Sequence, residues 1–110
     1  MSGPVTESGP LDVRAAVDGD VARVSLSGEL DLDRAGAVAE ELGGLPGQGA
    51  TSVVIDVSGL TFIDSSGLRA LLTAREQLEG AGVRLQLTNL SPAVERVLDM
   101  TGTRATLAGD

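Results

Sequence analysis

Residues Ile63 to Leu68 read IDSSGL, and their types and spacing could do chemistry. An acid, Asp64, and two hydroxyls, Ser65 and Ser66, precede Gly67 and open a run with helical spacing of apolar residues. Two chemistries fit. A carboxylate or hydroxyl here can cap a helix, accepting a hydrogen bond from first-turn N–H groups that have no intrahelical partner. A serine hydroxyl at such a place can also accept a phosphoryl group, which adds about −1.5 to −2 charges.

Conventional catalysis finds no equipment. The chain contains no His, Cys or Lys, and all eight basic residues are Arg. A Ser-His-Asp or Cys-His site is therefore impossible within it. A phosphate-binding loop of the P-loop type lacks its lysine. A metal would have to be held by carboxylates alone, such as Asp31, Asp33 and Asp64. The expectation is a protein that is not an enzyme, with no catalytic residue, no metal and no cofactor.

The elements that must position IDSSGL follow from hydrophobic period and turn chemistry. Residues 1–10, MSGPVTESGP, are small, polar and broken by proline, and read as a flexible tail. LDVRAAV and VARVSLSG flank Asp18-Gly19, a hairpin signal. In the second segment Ala22, Val24 and Leu26 alternate against Val21, Arg23, Ser25 and Ser27, the mark of a half-buried strand. Asp31 or Asp33 can cap a helix bearing Ala35, Val38, Ala39 and Leu42, which Gly43-Gly44 stops. TSVVIDV, Thr51 to Val57, is continuously apolar in its centre, as in a strand covered on both faces. The motif helix runs to about Glu79, and a strand holding Val83, Leu85 and Leu87 follows. Ser91, Pro92 and Gly102 bracket a short helix with Val94, Val97 and Leu98 as its stripe. TRATLA is a possible last strand. Strands separated by helices imply parallel pairing, and the initial hairpin makes the sheet mixed.

Projected at 100° per residue, the motif helix centres its apolar stripe on Gly67, Leu71, Ala74 and Leu78. Leu68 and Leu72 fall at the edge of that stripe, and Ser65, Arg69, Leu72 and Glu76 form the adjoining ridge. A phosphate on Ser65 would meet free N–H groups and the positive end of the helix dipole. Arg69, four residues on, could reach it. Asp64 would oppose it: two unit charges roughly 6 Å apart at an effective dielectric near 20 interact by about 3 kcal/mol before screening. The opposing effects are similar in size, so phosphorylation suits a binding switch better than an unfolding switch.

The whole composition narrows the partners. The 110 residues suffice for one domain with one core. A net charge of −8 with no basic run argues against a nucleic-acid partner and against anionic lipid. A basic, Arg-bearing partner protein is compatible. No apolar run approaches the roughly 20 residues of a membrane span, and no signal-peptide pattern opens the chain, so no membrane role and a cytoplasmic location are expected.

Three segments carry a family resemblance. FIDSSGLRALL resembles the phosphorylation motif of the STAS domain of bacterial anti-sigma factor antagonists. VSLSGELDLDRAGAV is similar to that family's G-E-L-D stretch, and LSPAVERVLDMTG to its S-P-x-V-x-R-x-L-x-x-x-G third helix. All three occur in order, over roughly residues 11–108. The resemblance implies an α/β fold: a single STAS-like domain with a mixed sheet of four to five strands and about three helices. It also implies a transcription regulator that works by partner switching. The unphosphorylated antagonist binds an anti-sigma factor that is also a serine kinase and so frees a sigma factor. The kinase phosphorylates the antagonist, the complex dissociates, and a serine phosphatase restores it.

Carried to this chain, the resemblance makes Ser65 the phosphoacceptor, with Ser66 shaping the site and Asp64 the acid before it. Asp31 matches the acid of G-E-L-D, which lies near the acceptor in the family. Gly67 would let a kinase backbone approach closely, and Leu68 and Leu72 would supply the apolar part of a partner interface. Each also has a purely structural reading: Asp31 as a helix cap, Gly67 as a conformational device, Leu68 and Leu72 as core-edge residues, Arg69 as part of a solvated face. Leu32-Asp33-Arg34 and Gly36 depart from the family's pattern, and Gly36 weakens its helix by about 1 kcal/mol relative to Ala. A STAS scaffold or transporter-associated module without a phospho-switch is the other reading the resemblance allows.

Overall fold

A computed structural model of the chain describes residues 11–109. The tail expected at 1–10 lies outside the described residues. The hairpin forms as β1 (Leu11–Asp18) and β2 (Val21–Leu30). Asp18 pairs with Val21, so the two-residue loop is Gly19-Asp20, one residue later than the turn signal suggested. Gly19 sits at φ +66°, which glycine adopts without steric cost.

After β2 come α1 (Leu32–Gly43), a 3₁₀ turn at Pro46–Gln48, β3 (Ser52–Ile63), α2 (Ser65–Gly80), β4 (Arg84–Thr88), α3 (Pro92–Thr101) and α4 (Arg104–Ala108). The sheet order is β1-β2-β3-β4. β1 and β2 are antiparallel, whereas β2–β3 and β3–β4 are parallel. This is the mixed sheet expected, with four strands.

Alternation decides which face is covered. Ala22, Val53 and Leu85 stand in one row across the sheet, and Val24, Ile55 and Leu87 in the next, all buried. Against them lie Val38 and Leu42 of α1, Leu71, Ala74 and Leu78 of α2, Val94 and Leu98 of α3, and Leu107 of α4, in a single core. Each fully buried Leu or Val contributes roughly 1.5–3 kcal/mol relative to an exposed one. The opposite sheet face carries Arg23, Gln86 and Arg84, all exposed, with Ser25, Asp56 and Thr88 half-buried. The core is wholly aliphatic; the chain's single aromatic, Phe62, is 47 % exposed.

Two segments depart from expectation. β3 does not end at Val57 but continues to Ile63. Its register against β2 shifts twice, between Ser25 and Ser27 and between Gly28 and Glu29. Each shift inserts an extra β3 residue, so the buried positions run Val53, Ile55, Val57, then Leu60 and Ile63. TRATLA forms a helix rather than a fifth strand. Leu107 is its buried residue, and Arg104 ties it to α3 through Glu95 at 3.0 Å and Asp99 at 3.1 Å.

Candidate functional site

The site begins where two adjacent strands end. Leu30 of β2 pairs with Ile63 of β3, and each is followed by an aspartate that caps a helix. Asp31 Oδ1 accepts from the Arg34 amide at 3.2 Å, and Asp64 Oδ1 from the Gly67 amide at 2.8 Å. Both aspartates are extended, as an N-cap requires. The Asp64 amide donates to the Leu30 carbonyl at 3.3 Å, joining the two starts. α1 and α2 thus spring from one edge of the sheet and pack side by side. Of the two candidate caps on α1, Asp31 takes the role. Asp33 lies in the first turn and faces the Arg34 guanidinium at 3.6 Å.

This division of labour matters most at Ser65. Asp64 supplies the cap, so Ser65 occupies the first helical position with no capping duty. It is exposed, and its hydroxyl makes no hydrogen bond among the described residues. Ser66, next along, is half-buried.

The fold itself requires glycine at position 67. It is buried, and a Cβ on it would lie 2.6 Å from the Leu30 carbonyl oxygen and 2.8 Å from Leu30 Cγ. Its bare Cα lets the first turn of α2 rest on the end of β2.

A groove runs between the two helices, lined from α1 by Leu32, Ala35, Gly36 and Ala39. From α2 it takes Ser65, Ser66, Arg69, Ala70 and Thr73. Its volume is about 490 Å³, within the roughly 300–1,000 Å³ typical of binding clefts. Leu32 stands at its rim, 71 % exposed. Arg69 is its only charged lining residue and forms no ion pair among the described residues.

Leu68 and Leu72, expected to supply an apolar interface, do not line this groove. Leu68 is 7 % exposed and belongs to the core. Leu72 is half-buried against that core and does not line the groove. α2 buries Ala70 on the α1 side of its stripe and Leu68 on the other, a wider arc than a single stripe. The ridge facing the groove is Ser66, Arg69, Ala70 and Thr73, at helical spacings of three and four. The sequence signal for the other wall was present in Leu32, Ala35, Gly36 and Ala39, one helical face of mostly small residues.

Away from this groove, Asp56 lies at the open sheet face. Its carboxylate accepts from the Ser58 amide at 2.8 Å and from the Asn89 side chain at 2.9 Å. Those bonds, the Ser58 amide first, hold it below the usual aspartate range. Asn89 takes φ +54°, a turn conformation that asparagine tolerates. Among the described residues, no three acidic side chains gather where they could hold a metal ion, and no helix is long and apolar enough to cross a membrane.

Comparison with known proteins agrees with this geometry. The family model described as Mlab, STAS domain, matches residues 13–107. The anti-sigma-F factor antagonist RsfB of Mycobacterium tuberculosis is 30 % identical over 92 residues, spanning 84 % of this chain and 75 % of RsfB. The crystal structure of an anti-sigma factor antagonist from Mycobacterium paratuberculosis superposes with a TM-score of 0.77 at 28 % identity, covering 97 % of this chain and 87 % of that one. The anti-sigma factor antagonist SpoIIAA in its unphosphorylated form gives a TM-score of 0.68 at 26 % identity, over 84 % of this chain and 80 % of that one. With the hairpin-led mixed sheet, the aspartate-capped motif helix and a family match over nearly all the described residues, the chain belongs to the STAS domain family, among relatives named as anti-sigma factor antagonists.

Proposed function

We propose that this protein is an anti-sigma factor antagonist whose unphosphorylated form binds an anti-sigma factor serine kinase and so releases a sigma factor. The functional unit is residues 11–108. The observation that carries the reading is the state of Ser65: an exposed hydroxyl at the first position of α2, relieved of capping by Asp64 and placed at the rim of the α1/α2 groove. The names of the relatives, and a similar antagonist whose structure is specified as unphosphorylated, support it.

In the proposed switch the kinase transfers the γ-phosphoryl group of ATP to Ser65 Oγ. The hydroxyl proton is lost to the kinase or solvent, and ADP leaves. The new dianion sits among the unpaired first-turn N–H groups of α2, so the helix tolerates it. What changes is the charge of the groove rim, and the partner leaves. A serine phosphatase hydrolyses the ester and restores the hydroxyl. Asp31, Asp64 and Ser66 hold the acceptor's surroundings, and Arg69 lies one turn from the new charge.

The test is a kinase assay. The protein is incubated with ATP and each anti-sigma factor kinase of its source genome, and the modified residue is mapped. Phosphate is expected on Ser65. Ser65→Ala should stay bound to the kinase when ATP is present, and Ser65→Asp should bind weakly. Modification at another residue, or two variants that bind and release as wild type does, would overturn the switch. Tight binding with no modification would leave a STAS module that works without phosphorylation.

A further inference from the structure

Gly36 weakens the helix that contains it, and among the described residues nothing requires it. A Cβ there would meet no heavy atom within 4 Å. Its φ lies outside the left-handed range that favours glycine. Neither packing nor backbone geometry therefore accounts for the residue. Gly36 lines the α1/α2 groove beside the exposed Leu32 and, lacking a side chain, leaves it open.

The charges around the groove are unevenly committed. The Asp31 and Asp64 carboxylates are bound to helix amides, and Asp33 faces Arg34. Arg69 alone lines the groove with a charge that no described residue pairs. An occupant that is apolar at its tip and acidic beside it would satisfy both features.

We propose that the groove seats an apolar side chain of the anti-sigma factor partner over Gly36, with a neighbouring carboxylate of that partner paired to Arg69. The proposal rests on the antagonist reading above and assigns the contact that reading leaves open. It also gives the switch a physical rival: a phosphate on Ser65 lies four residues from Arg69 on the same helix and competes with the partner's carboxylate for one guanidinium.

The experiment is a binding titration of the unphosphorylated protein against each purified anti-sigma factor kinase of the source genome. It compares wild type with Gly36→Leu, Arg69→Ala and, as a distant surface control, Met100→Ser. Gly36→Leu fills the groove from a position with open space, so its thermal midpoint should equal or exceed that of wild type while binding weakens at least tenfold. Arg69→Ala should weaken binding and flatten its dependence on salt. Met100→Ser should bind as wild type does. Wild-type affinity in Gly36→Leu would overturn the groove seat and leave the antagonist reading standing. Should Gly36→Leu lose its fold, Arg69→Ala decides, and wild-type affinity there overturns the carboxylate pairing. If wild type binds none of the kinases, the antagonist reading falls and the groove assignment falls with it.

Discussion

The Cα of Gly67 rests so close to Leu30 that a Cβ would stand 2.6 Å from the Leu30 carbonyl oxygen. The obstacle is backbone, so trimming a side chain cannot relieve it. Gly67→Ala should push α2 off the end of β2 and destabilise the protein by about 1–3 kcal/mol, the usual range for overpacking. Urea denaturation measures this directly. A stability equal to wild type would mean that the helix start is free to shift.

Capping by Asp64 and the proposed phosphoacceptance by Ser65 fall to neighbours, and stability can separate them. Asp64→Ala removes the acceptor of the 2.8 Å bond from the Gly67 amide and should lose about 1 kcal/mol. Ser65→Ala removes a hydroxyl with no partner in the fold and should stay within about 0.5 kcal/mol of wild type. Parallel denaturation curves at neutral pH test the pair. A Ser65→Ala protein as weak as Asp64→Ala would show the hydroxyl sharing the cap.

The first bulge of β3 brings Gly59 against Ser27 of β2. A Cβ on Gly59 would lie 2.7 Å from Ser27 Cβ. Gly59→Ala should therefore cost about 1–3 kcal/mol. Here the clash is with a side chain, so a Ser27→Gly, Gly59→Ala double variant should be more stable than the sum of the two single changes predicts. A double-mutant cycle supplies the number, and strict additivity would place the strain elsewhere.

Asp56 gives a pH dependence of known sign. Its folded pKa lies below the unfolded value because the Ser58 amide, and after it the Asn89 side chain, bind the charged form. The native state holds fewer protons than the unfolded chain in that interval, so its contribution is fully present above the unfolded pKa, near 3.9. It is lost as pH falls from there through the folded value. Asp56→Asn should lack this loss, so its stability should fall less than that of wild type between pH 5 and the acid limit, as followed by circular dichroism.

Local chemistry made much of the fold legible. Alternation placed Ala22, Val24 and Leu26 inward, and they are buried. Ser91 with Pro92 marked the start of α3, and Gly102 ends it at φ +71°. The far half of β3 was not legible because two register shifts turn its period of two into gaps of three, at Leu60 and Ile63. α4 was misread because TRATLA is short and carries two β-branched threonines, Thr103 and Thr106, which suit a strand. Its single buried leucine and the Arg104 ion pairs are tertiary facts that no local pattern carries. At the site, the caps and the place of Ser65 at the start of α2 could be read from residue types. The groove could not, because it needs two helices from distant segments. Leu68 falls at the edge of the projected stripe, and the fold buries it.

The sheet narrows toward the end that carries Ser65. β4 makes its last pairing through Thr88, opposite Asp56. Among the described residues β1 pairs as far as Gly28 of β2, and Glu29 with Phe62 and Leu30 with Ile63 pair between β2 and β3 alone. Few ladder bonds need to break for this tip to open, whereas the rows at Val53 and Ile55 are locked on both sides. Among the described rows of the sheet, local opening, of the kind hydrogen exchange detects, is therefore cheapest next to Ser65, and it leaves the four-strand base closed.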